Sequence, residues 1–347
     1  MRTLCAALVL ASAGLTAGVA TQSAARIQVA ENAAASRVDI TIDGKPFTSY
    51  VFDRTQKKPF LFPLRSAAGT VVTRGYPIEA RAGERTDHPH HIGLWFNYGD
   101  VNGLDFWNNS AAIPAARAAK MGTVVHKRIV KAEGGKDVGE LNVEMDWVDA
   151  NGTVLLQEAT RFLFRGDTTS RSIDRITRLT AMKEPVAFGE SKEGVLGIRV
   201  ARSLELPSKQ ADVFTDETGK PAGARRASTE GVTGNYIGSE GKTGDDVWGT
   251  RGPWTMLTGK VDAETVTLAI LDHPSNPGFP SYWHARGYGL YAVNNLGQNA
   301  FDPKQPERKT TIGPGESLTF RHRVMILGGT ADAARIAAEH KTFAAQK

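Results

Sequence analysis

Cysteine is all but absent: the 347 residues contain one, Cys5. A disulfide framework and thiol chemistry are therefore excluded from the rest of the chain. Four catalytic signatures are missing as well: a P-loop, a Gly-x-Gly-x-x-Gly turn after a strand, a Gly-x-Ser-x-Gly elbow and a His-Glu-x-x-His helix. Nucleotide chemistry, common serine hydrolysis and zincin proteolysis lose ground with them, and no nucleotide cofactor is expected. No run of five basic residues occurs, so the net charge of +5 and the pI near 9.2 read as a solvated surface, with no nucleic-acid partner expected. After the first two dozen residues no apolar run reaches membrane-spanning length, and no integral span is expected there.

Those first residues have the pattern of a secretion signal. Arg2 supplies a positive start, Leu4 to Ala20 is apolar and small, and Gly18-Val19-Ala20 or Gln22-Ser23-Ala24 suits a small-residue cleavage site. Residues 1–24 are expected to be a signal peptide that carries Cys5 away. The protein is then exported, to the periplasm or outside the cell, with residues 25–347 as a single β-sandwich domain.

The sequence is rich in strand and turn signals, with 36 glycines. Val38, Ile40 and Ile42 alternate with polar residues up to Asp43-Gly44, a strong hairpin signal before Phe47 to Asp53. Leu141, Val143, Met145 and Trp147 share one face of a strand that Asp149-Ala-Asn-Gly152 turns back. Similar strands recur at 123–132, 153–165, 172–179, 195–201, 265–271, 289–293 and 318–327. Ala111 to Ala119 reads as a short helical insertion and 208–244 as a long polar loop. The tail from Thr330 is helical, with Thr330 as cap. The fold expected is all-β, a large antiparallel sandwich with one terminal helix.

Reactive groups concentrate between Thr86 and Asn108, which hold three of the eight histidines, two of the six tryptophans and three carboxylates. Pro89 biases His88 toward an extended conformation, which would put His88 and His90 on one face and His91 on the other. Two such imidazoles could transfer protons or ligate a metal. Asp105, re-entering a strand beside Phe106 and Trp107, is a catalytic carboxylate candidate because an apolar setting can shift a carboxylate's pKa. Trp95 and Trp107 are candidate sugar platforms. A second cluster runs from Asp272-His273-Pro274 to Trp283-His284-Ala-Arg286, and a third is Glu190-Ser-Lys-Glu193.

The runs Asp87-His88-Pro89-His90-His91-x-Gly93-Leu94-Trp95 and Gly99-Asp100-Val101-Asn102-Gly103-x-Asp105-Phe106-Trp107, with His273-Pro274-x-Asn276 and Trp283-His284-x-Arg286-x-Tyr288-Gly289, resemble the bacterial PmoA-like proteins, a domain of unknown function. The label borrows from a membrane-bound methane monooxygenase subunit, and methane oxidation is not carried over. The resemblance implies a genetic setting among sugar oxidoreductases, sugar isomerases and polysaccharide breakdown. It also implies a fold similar to galactose mutarotase-like sandwiches, whose sites set a histidine and a carboxylate over a sugar on a concave sheet face.

The expectation is a carbohydrate-active enzyme, a glycoside hydrolase or lyase, working by His/carboxylate acid–base chemistry on a small-molecule sugar. His88, His90, His284, Asp105 and Glu190 are its candidate catalytic residues. His91, Trp95, Trp107, Asn102, His273, Trp283 and Arg286 are its candidate substrate contacts. Two alternatives stand beside it: a divalent metal held by His88 and His90 with His284 or Asp105, and a sugar-binding protein without catalysis.

Overall fold

The computed structural model describes residues 26–346, so the expected signal peptide and Cys5 lie outside the described residues. In chain order, β1 (Ile27–Asn32), β2 (Arg37–Ile42) and β3 (Lys45–Val51) form a meander, followed by the short β4 (Phe60–Leu61) and by β5 (Leu94–Tyr98). Four long strands come next: β6 (Thr123–Glu133), β7 (Gly139–Val148), β8 (Val154–Gly166) and β9 (Ser170–Ala181). The short β10 (Val186–Phe188) precedes β11 (Gly194–Arg199), then β12 (Ser208–Thr215), β13 (Pro221–Ser228) and β14 (Asn235–Gly238). Finally come β15 (Trp254–Val261), β16 (Glu264–Asp272), β17 (Tyr282–Arg286), β18 (Leu290–Asn294), β19 (Thr310–Ile312), β20 (Ser317–Gly328) and helix α1 (Ala333–Ala344).

Two eight-stranded sheets result, ordered β1-β2-β3-β4-β5-β11-β18-β17 and β14-β15-β16-β20-β9-β8-β7-β6, and their neighbours pair antiparallel. This is the large sandwich with a short C-terminal helix that the alternating patterns predict. The alternation produces it directly. Val38, Ile40 and Ile42 point into the inter-sheet core, as do Leu141, Val143, Met145 and Trp147, because a strand sends successive side chains to opposite faces. Asp43 and Gly44 take the positive φ values, 51° and 73°, of a tight two-residue hairpin.

Three local expectations differ. The segment 208–244 is not one loop: β12 and β13 form a separate hairpin and β14 edges the second sheet. Its residues read as loop because β13 is mostly exposed and has no apolar face to alternate. Helix α1 is capped by Asp332, whose carboxylate accepts from Arg335 N at 2.7 Å, rather than by Thr330. The alanine-rich insertion is a single 3-10 segment, Ala115–Lys120.

The first sheet also has a built outer face. On β5, Leu94, Phe96 and Tyr98 join the inter-sheet core, whereas Trp95 packs with Phe60, Phe62, Ile92, Trp107, Leu290 and Ala292 in a separate cluster on the other side. Register continues that side across four strands: Trp95 pairs with Gly197, Gly197 with Ala292, and Ala292 with His284. The next row sets Arg199 against Leu290 and Leu290 against Arg286.

Candidate active site

Above this outer face the chain from Asp87 to Gly93 forms a compact turn, not the extended segment that Pro89 predicts. His88 has φ 44°, and His91 N donates to the His88 carbonyl at 2.9 Å. The turn is fastened from outside itself. Buried Arg74 donates to the carbonyls of Arg85, Asp87, His88 and His91 and to the Asp87 carboxylate, so it fixes a conformation that local propensity disfavours. The expected separation of the histidines therefore fails. Their rings gather, with centroids 4.8 Å apart for His88–His91, 4.3 Å for His90–His91 and 5.6 Å for His88–His90.

Asp87 is the centre of the arrangement. Its Oδ1 accepts from Arg74 at 2.9 Å and Arg199 at 2.6 Å, and its Oδ2 bonds His88 Nδ1 at 2.6 Å. Burial alone would push its carboxyl up, but Arg199, the His88 hydrogen bond and Arg74 together hold it well below the usual carboxylate range. An ionised carboxylate can only accept, so Nδ1 of His88 carries the proton. In the neutral ring Nε2 then presents a lone pair, the arrangement of a positioned general base. The His88 side chain is 41% exposed.

His88 opens into a cleft of about 600 Å³ that is also lined by Lys192, Glu193, His284, Arg286, Tyr288 and Trp248. Burial raises the Glu193 carboxyl above its ordinary value, Asp105 adds to this, and Lys192 and His88 oppose it. A carboxyl raised in this way, in the same cleft as a base, is a candidate acid. His284, on β17, donates from Nδ1 to the Lys192 carbonyl at 3.0 Å and lies 3.8 Å from Glu193 Oε2. Burial, with Arg286 and Lys192, pushes its imidazole down to about 3, so it is neutral. The Tyr288 ring lies parallel to His88 at 5.0 Å, and the Arg286 guanidinium sits 5.7 Å from the Trp248 ring. A smaller concavity of about 380 Å³ crosses β6 to β9, where Arg128 is paired with Glu144 and Lys127 with Asp146.

Of the residues singled out from sequence, His88, His284 and Arg286 line the cleft, and buried His90 and His91 lie beneath it. Others have different work. Glu190 is a loop clamp, accepting from Gln298 N, Ala300 N and Arg308 N at 2.7, 3.1 and 2.7 Å. The cleft carboxylate is Glu193, three residues on. Asp105 does not re-enter a strand; it caps a turn, with both oxygens taken by Asn108. Asn102 is an exposed turn residue at φ 52° that holds Ala187 N. His273 is bonded to Ser275 and to the Gln346 carbonyl, against the terminal helix. Trp95, Trp107 and Trp283 are fully buried, so none offers a ring to a ligand stacking in the cleft, and Trp283 donates to the Gly252 carbonyl. Trp248 and Tyr288 present the half-buried aromatic faces instead.

Arg74, Arg199 and Trp248 carry no signal strong enough to single them out in sequence. For Asp87 the adjacent histidine is such a signal. Among the described residues no group of three or more His, Cys, Asp or Glu side chains is placed to hold a metal ion. No described helix is long and apolar enough to cross a membrane.

Fold and site together define an antiparallel β-sandwich with a histidine–carboxylate cleft on the outer face of one sheet. The chain belongs to the family of unknown function DUF6807, whose model matches residues 37–341. No curated protein matches the sequence. Among solved structures it is similar to the GH36 α-galactosidase AgaB from Geobacillus stearothermophilus, at 12% identity and TM-score 0.41, over 87% of this chain and 41% of that one. It is also similar to a proposed aldose 1-epimerase from Escherichia coli K12, at 12% identity and TM-score 0.30, over 88% and 100% of the two chains. Heparan sulfate lyase HepC from Pedobacter heparinus aligns at 10% identity and TM-score 0.28, over 85% and 34%. The chain spans about two fifths of the galactosidase's length. TM-scores of this size assign neither an activity nor a site.

Proposed function

We propose that the protein is an exported carbohydrate-active enzyme, residues 25–347 forming its one domain, in which His88 and Glu193 act as base and acid at a glycosidic linkage. One observation carries the reading: a carboxylate fixed by two arginines is bonded at 2.6 Å to an exposed imidazole, which shares a cleft with the half-buried Glu193, whose carboxyl burial raises above its ordinary value. The half-buried rings of Trp248 and Tyr288, with Arg286 beside them, suit an oxygen-rich ring substrate. The PmoA-like motifs, with the sugar-enzyme setting they imply, support the same class.

Elimination fits the cleft better than hydrolysis. Hydrolysis by paired carboxylates needs two that are free to act, and beside Glu193 the cleft carboxylates are engaged: Asp87 by Arg74, Arg199 and His88, Asp212 by Arg85, and Asp245 by Gly287 N. In elimination Nε2 of His88 takes a C–H proton, the electron pair forms a C=C bond as the C–O bond to the leaving group breaks, and Glu193 protonates the departing oxygen. His284 and Arg286 hold substrate oxygens. The test is incubation with a panel of glycosides followed by mass spectrometry. Products whose masses sum to that of the substrate, with a new double bond, are expected; products that have gained water would replace elimination by hydrolysis. His88→Ala and Glu193→Gln should each lower kcat by about 10² to 10⁴. Turnover unchanged in His88→Ala would overturn the assignment.

A further inference from the structure

Beneath the histidine turn lies a set of nitrogens that the acid–base reading does not use. Nζ of Lys58, Nε2 of His90, Nε2 of His91, Nε1 of Trp95 and Nε1 of Trp107 are all buried and have no hydrogen-bond partner in the protein. They belong to one contiguous group. His91 packs on Trp95 at 5.2 Å and Trp107 at 5.8 Å, the two indoles are 5.0 Å apart, Lys58 Nζ lies 5.6 Å from the Trp95 ring, and His90 touches His91 at 4.3 Å. Each of the five side chains is more than nine-tenths buried.

Four of the five are fixed as donors. Lysine and tryptophan nitrogens donate here by their chemistry. Arg199, which can only donate, points Nη1 at His91 Nδ1 at 3.3 Å, so the proton of the neutral ring sits on Nε2. The acceptor nearest in charge to Lys58 is Asp105, and both its oxygens are taken by Asn108. Arg74, Arg199 and Lys58 all act on His90 with the same sign, and Asp87 is shared between the two arginines. Buried donors without acceptors are rare in folded proteins, and donors of both charge and dipole in one place select an anionic oxygen group. Burial pushes the Lys58 amine down to about 7, which an incoming anion would reverse.

We propose that Lys58, His91, Trp95 and Trp107 form a carboxylate-binding subsite under the cleft, and that the substrate is a sugar acid whose carboxylate they hold. This rests on the reading of the cleft as a carbohydrate site and names its substrate class. It also supplies what that chemistry lacks. A C–H proton is abstracted readily only beside a carbonyl-type group, and the charge that develops on its oxygens as His88 takes the proton would fall on these preorganised donors. His88 is the link, its ring packed on His91 below and exposed to the cleft above.

The test compares methyl glucuronide and methyl galacturonide with methyl glucoside and methyl galactoside by calorimetry on the full chain, with tryptophan fluorescence as a second signal. Each uronide should bind at least about tenfold more tightly than its neutral counterpart. Lys58→Met should abolish that preference and leave neutral-sugar binding in place. Trp107→Phe, which keeps the ring packing and removes only the donor, should reduce the preference and keeps the test open if Lys58→Met fails to fold. Uronides binding no better than neutral sugars, or a preference that survives both variants, would overturn the subsite. Turnover separates this from the reading above. Uronide preference without turnover leaves the subsite and removes the enzyme, whereas His88-dependent turnover of neutral glycosides with no uronide preference does the reverse.

Discussion

Asp87 shows how one residue can be both structural and chemical. It pairs with Arg74 on one side and Arg199 on the other, and these two guanidinium groups, 1% and 0% exposed at their side chains, would repel each other without it. Replacing Asp87 with Asn keeps the shape and removes the charge, which should cost about 3 kcal/mol at pH 7 because two buried cations lose their partner. The pH dependence has a definite sign. A carboxyl whose folded pKa is depressed contributes stability that is present above its unfolded value, about 4, and lost as pH falls from there toward the folded value. The gap in urea midpoint between the wild type and Asp87→Asn should therefore be flat from pH 8 to about 5 and close progressively below about 4. A gap that persists undiminished to pH 3 would mean that the charge of Asp87 is not what holds the turn.

Strand β11 is the element on which the site depends, because it carries both a gap and a charge. Between β5 and β18 it presents Gly197 and Arg199 to the outer face. A Cβ at position 197 would lie 2.7 Å from the Trp95 ring and 2.9 Å from that of Trp107, so only glycine lets both indoles lie against the sheet. Gly197→Ala should cost about 1 to 3 kcal/mol and shift the tryptophan emission, whereas an alanine substitution with no close neighbour, such as Gly223→Ala, should leave the emission unchanged. Unfolding and fluorescence read in parallel decide it, and normal emission in Gly197→Ala would show that the indoles move aside without strain. Elements of this kind were legible in sequence only in part. β2 and β7 were plain, because one face is buried and the period of two survives. The β12–β13 hairpin was not, because much of it is exposed and a strand without an apolar face looks like a loop. The histidine turn stands out in sequence by its density of reactive groups, but its shape does not. The force that bends it comes from Arg74, which lies 11 to 17 residues away and leaves no local pattern. Glu190 and Glu193 are chemically identical in sequence. Only the backbone groups that surround Glu190 show which one is spent on structure.

At the scale of the whole molecule, polar work is divided between the two faces of the first sheet. The outer face holds the cleft. The inner face meets a separate network rooted in the second sheet, where buried Glu158 accepts from Trp147, Thr160 and Arg175. Arg175 in turn lies 4.8 Å from the ring of Phe96 on β5 and 5.0 Å from that of Phe162 on β8, so a charge rooted in one sheet is packed against an aromatic of the other. Removing Glu158 would strand that cation between the sheets. Glu158→Ala should therefore lower global stability by about 4 kcal/mol in urea unfolding. Because β5 separates the network from the cleft, kcat should remain within about twofold when measured well below the unfolding transition. The paired outcome discriminates: loss of stability with kcat kept means the sandwich interior only supports the site, whereas a fall in kcat in fully folded protein would show that the inter-sheet network sets the geometry of the outer face through β5.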